Sequence, residues 1–221
     1  MFLDWGSITS FYGQLLHGAW LTLVITFSAF ALAIAVGIVV AAGKMSAVAP
    51  LRWLASIYVE VLRNTPVLLQ IFIVFYGLPS LGLRLSAVTA GILGLGLNVG
   101  AYLGEIFRAG VVAVPKGHRE ASAALAMSPM QTLVWVVAPV ALRAIFPAFS
   151  NMFIATILGS SLLSVIAVPE LTGRTNEISA RTFLTIEVYS FSTVIYLALT
   201  LGSSLGLLLL GRWLFPRASR V

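Results

Sequence analysis

The stretch that decides the fold is Val114–Val140, VPKGHREASAALAMSPMQTLVWVVAPV. Long apolar runs flank it, so a polar segment with its own helix signals stands apart. Lys116, Gly117, His118, Arg119 and Glu120 lead into the small-residue run Ala121-Ser122-Ala123-Ala124-Leu125-Ala126. The spacing predicts a short helix over Glu120–Met127, with Ala121, Ala124, Leu125 and Ser128 on one face. A second helix restarts at once: Ser128 suits an N-cap, Pro129 the first helical position, and Gln131 completes an S-x-x-Q capping box. Pro139 predicts an end or a kink. Two short helices joined by a sharp corner on a membrane surface have the form of a docking element.

Outward from this segment the chain is apolar. Its 221 residues are 60% hydrophobic and 9% charged, against about a quarter charged in soluble domains, so the chain is an integral membrane protein. The net charge of +6 does not call for nucleic acid, because the lysines and arginines flank apolar spans where topology uses them. With no cysteine and two distant histidines, there is no disulfide framework and almost no material for a metal centre. Asp4 and the lack of a basic n-region argue against a cleaved signal peptide, so the first span is expected to be retained.

Residues 5–16 mix aromatic, hydroxyl and apolar positions and are expected to form an interfacial helix. Five spans follow, at about residues 18–42, 56–76, 86–112, 144–168 and 188–210, each close to the ~20 residues that a bilayer core requires. The expected loops are Lys44–Arg52, which contains Pro50, then the central loop 114–140, and the polar segment 169–187. With the central loop in the cytosol, that side carries Lys44, Arg52, Lys116, Arg119, Arg143, Arg212, Arg217 and Arg220. The other side carries only Arg84, Arg174 and Arg181. Eight against three satisfies the positive-inside rule and puts the N-terminus outside and the C-terminus in the cytoplasm. One domain, residues 1–221, accounts for the whole chain.

Polar groups within the spans are the candidates for function. Glu60 and Arg63 in span two, and Glu105 and Arg108 in span three, are i, i+3 pairs that share a helix face. Charges at membrane depth face the bundle interior or water, so each pair is either a structural salt bridge or part of a gate or substrate contact. Gln70 and Asn98 lie mid-span and need either a neighbouring helix or a polar pathway. Ser160, Ser161 and Ser164 in span four either line that pathway or bond back to their own helix. Gly96, Gly100 and Gly104 recur every four residues, a face for close helix packing in lipid. Gly202-Ser203-Ser204-Leu205-Gly206 matches G-x-S-x-G but sits inside a span, where a nucleophile elbow has no strand–turn–helix context. No catalytic residue is expected.

The central segment resembles the coupling loop of ATP-binding cassette (ABC) importer permeases: Glu-Ala-Ala, three residues, Gly, nine residues, Ile-x-Leu-Pro. Glu120, Ala121 and Pro139 match it, while Ser122, Ala126, Val136 and Ala138 replace the second Ala, the Gly, the Ile and the Leu. Tyr58, Glu60, Arg63 and Pro66 match the Tyr-x-Glu-x-x-Arg-x-x-Pro of similar permeases, which also resemble this chain around Glu105, Arg108 and Gly110. Residues 158–173, LGSSLLSVIAVPELTG, resemble the family's later Lys-Asp-Thr-Ser-Leu and Ser-Val-x-x-Val-x-Glu-Leu pattern, with Leu158 and Gly159 in place of a common polar pair.

The resemblance is to the polar amino-acid uptake family. It implies an all-α integral membrane fold with five transmembrane helices and a cytoplasmic coupling helix, the transmembrane domain of a type I ABC importer. It further implies a bacterial inner-membrane complex: a second permease subunit, identical or different, two cytoplasmic ATPases that bind ATP and Mg, and an extracytoplasmic solute-binding protein. Gly117, His118, Arg119, Glu120, Ala121, Ala124, Leu125 and Ala126 would then carry the ATPase contact. Glu120 would fix register by a charge-assisted hydrogen bond, the alternative being a solvated loop charge. Glu60, Arg63, Gln70, Asn98, Glu105, Arg108, Ser160 and Ser161 are the candidates for pathway or gate. The rival is a secondary transporter or channel subunit working without an ATPase, which mid-membrane acid clusters or inverted repeats would favour.

Overall fold

The computed structural model describes residues 6–215, and every regular element among them is helical. Asp4, Trp5 and the basic tail with Arg217 and Arg220 lie outside the described residues. A 3-10 turn, Ser7–Phe11, runs without a break into α1, Tyr12–Met45. The separate interfacial helix expected over residues 5–16 is therefore not formed. Leu15 is fully buried against Leu171, Ile178 and Val188, and this packing holds the stretch in line with the span.

After α1 only residues 46–48 intervene before α2, Ala49–Arg63, because Pro50 opens the helix instead of sitting in a longer loop. Arg52 Nη1 reaches back to the Ser46 and Ala47 carbonyls at 2.9 and 3.3 Å. The second span also differs from expectation: α2 and α3, Val67–Ser80, are two helices bent by 106°. Pro66 disfavours helical backbone in the residue before it and is itself extended, so the helix stops at Arg63 and restarts at Val67. Residues 73–77 of α3 are a π-helical turn.

The third span, α4, is Ala87–Val112, with Ser86 accepting from the Thr89 amide at 3.1 Å as the N-cap. α4 packs along most of α1. Cβ atoms added at Gly96, Gly100 and Gly104 would lie 2.7, 2.7 and 2.5 Å from Leu32 Cδ2, Val36 Cγ1 and Val40 Cγ1. Residues 32, 36 and 40 are one α1 ridge, and each seats on one of the glycines. In lipid, where apolar burial gives helices no reason to associate, this fit of backbone against side chain is what joins the two spans.

α5, Lys116–Ala124, is the short helix of the central segment. It starts four residues earlier than expected, because Pro115 takes the extended N-cap conformation. α6 then runs as one helix from Pro129 to Ile166. Of the end or kink expected at Pro139 the end is not observed, nor is the span start near residue 144. The missing Pro139 N–H is accommodated by a π-helical stretch, Thr132–Val137, which widens the helix where the i→i−4 bond is lost. The last turns of α6, Ser160–Ile166, tighten to 3-10 geometry.

The polar segment 169–187 holds a helix of its own, α7, Leu171–Thr182, and α8 is Thr185–Leu214. Among the described residues, four helices are long and apolar enough to span a membrane, five if the bent α2–α3 pair is taken as one span. Phe30 knits α1 to α6 through edge-on rings of Phe149 and Phe153, each at 5.0 Å.

Candidate functional site

The central segment is a stalk and a corner. Arg119 Nη2 donates to the Val111 carbonyl at 2.8 Å, one of the last carbonyls of α4 and so without an intrahelical partner. Ser122 is the buried residue of α5, and its hydroxyl bonds back to the His118 carbonyl at 2.7 Å. The buried face is thus the one through Ser122, whereas Ala121, Ala124 and Leu125 are exposed, Leu125 at 76%. The predicted face through Ser128 does not exist, since the helix ends at Ala124.

At that end Ala126 N–H donates to Ala123 O at 2.9 Å and Met127 N–H to Ser122 O at 3.1 Å, the paired bonds of a Schellman cap. Ala126, with φ of 53°, adopts the left-handed backbone that the family pattern gives to glycine. Ser128 and Gln131 then form the expected capping box. Gly117, His118 and Glu120 are exposed, and a Cβ at Gly117 would meet nothing within 4 Å. Glu120 forms no bond within the described chain, so its carboxylate is open to a partner.

The second site is the break in the second span. Tyr58 Oη donates to Leu97 O at 2.7 Å, and Asn98 Nδ2 donates to Leu62 O at 3.0 Å and to Gln70 Oε1 at 3.0 Å. Gln70 Nε2 shares the Leu62 carbonyl at 2.9 Å and reaches Thr65 Oγ1 at 2.8 Å. The amides of Gln70 and Asn98 therefore satisfy backbone left open by the bend, which lipid would not do. Leu97 and Asn98 lie near the middle of the 26-residue α4, so the break lies level with the middle of that helix. Glu60 and Arg63 are exposed there and do not pair with each other: Asn64 Nδ2 donates to Glu60 Oε2 at 3.0 Å, and Arg63 lies 5.1 Å over the Tyr102 ring.

Glu105 and Arg108 do pair, at 2.9 Å, and Lys44 from the end of α1 joins Glu105 on its other oxygen. This three-member cluster ties α1 to α4 on the side of the bundle that carries α5. Ser160, Ser161 and Ser164 bond to carbonyls three residues back at 2.7, 2.6 and 2.8 Å, the local alternative left open for these serines.

Sequence reasoning missed the group centred on Glu170. Its carboxylate is fully buried and caps α7 by accepting from Thr172 N–H at 2.9 Å and Gly173 N–H at 2.8 Å. It also accepts from Tyr196 Oη at 2.8 Å and Thr22 Oγ1 at 3.3 Å, so three helices meet on one side chain. Burial pushes the Glu170 carboxyl above the usual range, outweighing the donors that pull it down. A glutamate directly before Leu-Thr-Gly in a chain so poor in acids was the available signal.

The family model described as "Binding-protein-dependent transport system inner membrane component" matches residues 33–220. The chain is similar to the L-cystine transport system permease protein TcyB of Bacillus subtilis, 40% identical over 172 residues, covering 78% of this chain and 74% of that protein. It is likewise similar to the glutamine transport system permease protein GlnP of Escherichia coli, 35% identical over 203 residues, covering 91% and 93% of the two. Among solved structures, the crystal structure of an amino acid ABC transporter with histidines matches with a TM-score of 0.89 at 35% identity, over 96% of this chain and 99% of that one.

Proposed function

The chain belongs to the family of binding-protein-dependent transport system inner membrane components, and from that premise we propose that it forms the translocation pathway of a bacterial importer for a polar amino acid. It is a multi-pass inner-membrane permease subunit whose ATPase activity resides in a separate subunit, with the fold of a type I ABC importer transmembrane domain. The rival reading, a secondary transporter or channel, finds no support in these relatives. The relatives' own substrates, L-cystine and glutamine, support the amino-acid class.

The assembly contains this chain, a second permease subunit, two ATPases that bind ATP and Mg, and an extracytoplasmic solute-binding protein. The N-terminus lies outside and the C-terminus in the cytoplasm, in line with the distribution of Lys and Arg. α5 docks in a groove of the ATPase. One observation carries this reading: α5 is exposed on nearly every side while Arg119 fastens it to the end of α4. Closure of the ATPases displaces α5, and α4 and α1 follow through Arg119–Val111 and the Lys44–Glu105–Arg108 cluster. The open carboxylate of Glu120 fixes register on the ATPase through a charge-assisted bond. Glu60 and Arg63 face the pathway, whereas Gln70 and Asn98 hold the broken span, Ser161 serves its own helix and Ser160 also meets Tyr196 of α8.

The test is co-purification and uptake. Tagged chain expressed with its ATPase and second permease retains the ATPase, and Glu120→Lys abolishes that association or ATP-driven amino-acid uptake while membrane insertion persists. Uptake by the purified chain driven by an ion gradient alone overturns the proposal.

A further inference from the structure

Glu60 and Arg63 are exposed on the last turns of α2, at the level of Leu97 and Asn98 near the middle of α4. Charged groups at that depth are too costly to leave against acyl chains, so this face of α2 turns towards water. The two are one i, i+3 pair, their Cβ atoms about 5–6 Å apart, yet neither is paired with an opposite charge among the described residues. Elsewhere in the chain the same spacing closes into ion pairs, Glu105 with Arg108 and Arg174 with Glu177. At the break each charge is instead held in place by a neutral neighbour. The Asn64 amide occupies one oxygen of Glu60, and the Tyr102 ring lies under the guanidinium of Arg63.

We infer that Glu60 and Arg63 bind the zwitterionic head of the transported amino acid, Glu60 taking the α-ammonium and Arg63 the α-carboxylate. Two fixed charges of opposite sign on one helix face match a ligand that carries both signs on one carbon. The guanidinium offers a planar fork that grips a carboxylate through two parallel bonds, and the Tyr102 ring, 5.1 Å from Cζ, holds it on that side of α2. Recognition of the head alone leaves the ligand side chain to be read elsewhere, so this site selects the class and not the individual amino acid. The inference rests on the reading of the chain as an amino-acid permease.

The experiment uses the assembled complex of both permeases and ATPases, without the binding protein, so that the binding protein's selectivity does not enter. The probe is whichever of L-cystine, L-glutamine and L-arginine the intact importer accumulates; accumulation of none refutes the amino-acid reading itself and is scored separately. Binding of that amino acid is compared with its α-amide, which lacks the carboxylate charge, and with its desamino analogue, which lacks the ammonium. Arg63→Gln is expected to lower the preference over the amide at least tenfold while keeping the preference over the desamino analogue, and Glu60→Gln to do the reverse. Where a Gln variant does not assemble, the neutral Arg63→Met and Glu60→Ala are read on the same two ratios, with the same pattern expected. Ratios unchanged from wild type, or both ratios lost together in each variant, overturn the assignment. So does restoration of wild-type ratios by a charge of opposite sign placed on the second permease, which makes the pair an inter-subunit tie.

Discussion

Gly104→Ala tests the glycine ladder where the fit is tightest. The added Cβ would sit 2.5 Å from Val40 Cγ1 and 2.9 Å from Val40 Cβ. Val40 is β-branched with one dominant χ1 rotamer in a helix, and its Cβ cannot move without the backbone, so α1 and α4 must part. Overpacking of this kind costs about 1–3 kcal/mol, and alanine recovers roughly 1 kcal/mol over glycine in helix propensity, which leaves a net loss of about 0–2 kcal/mol. Val40→Ala removes Cγ1, the nearer obstructing atom, and leaves only the Cβ at 2.9 Å; alone, it costs roughly 1–3 kcal/mol by leaving a void. Together the substitutions relieve each other, with a coupling of about 1–2 kcal/mol. At about 2–4 °C per kcal/mol for a chain of this size, thermal unfolding in detergent should find the double variant several degrees more stable than the sum of the single effects. Strict additivity refutes the ridge-on-glycine account of the α1–α4 joint.

Three further outcomes follow from the geometry. Ala126→Gly is expected to stabilise the α5 corner by up to about 1 kcal/mol, because glycine adopts the left-handed backbone without the Cβ penalty but gains freedom in the unfolded chain; a lower unfolding temperature contradicts this. Arg119→Ala should reduce ATP-driven uptake severalfold at unchanged membrane insertion, since α5 loses its bond to Val111, and uptake at the wild-type rate in proteoliposomes refutes that link. Glu170→Ala leaves the Thr172 and Gly173 amides and the Tyr196 hydroxyl without their acceptor, at about 1–3 kcal/mol per buried group. Glu170→Gln, which keeps one accepting oxygen, should fall between it and wild type in a melting series.

Where the sequence was legible, the reason is local. Ser128-Pro129-Met130-Gln131 names its own cap, and the third span begins where its pattern places it, with Ser86 as N-cap of α4. Gly96, Gly100 and Gly104 announce a close approach by their four-residue spacing. The failures come from tertiary terms. Composition could not separate one apolar span from two half-helices, and the bend at Pro66 persists because Asn98, 32 residues away in sequence, accepts the role of capping Leu62. Pro139 signals an end or a kink without distinguishing them, because a π-helical turn that absorbs a missing N–H leaves no mark in periodicity. Glu60 and Arg63 had the spacing of an ion pair, and only the structure places Asn64 and Tyr102 between them and that outcome. Glu170 carries no sequence mark of its inter-helix role, since a buried N-cap serving three helices depends on Thr22 and Tyr196, which no local window contains.

The central claim is that α5 is the cytosolic handle by which a separate ATPase moves these spans. The chain has no cysteine, so Ala123→Cys introduces a single thiol on the exposed surface of α5 while Glu120 stays in place. A membrane-impermeant maleimide should label it in inside-out vesicles and not in right-side-out ones, with labelling suppressed when the ATPase is bound. Labelling from the outer face, or labelling indifferent to the ATPase, contradicts the account.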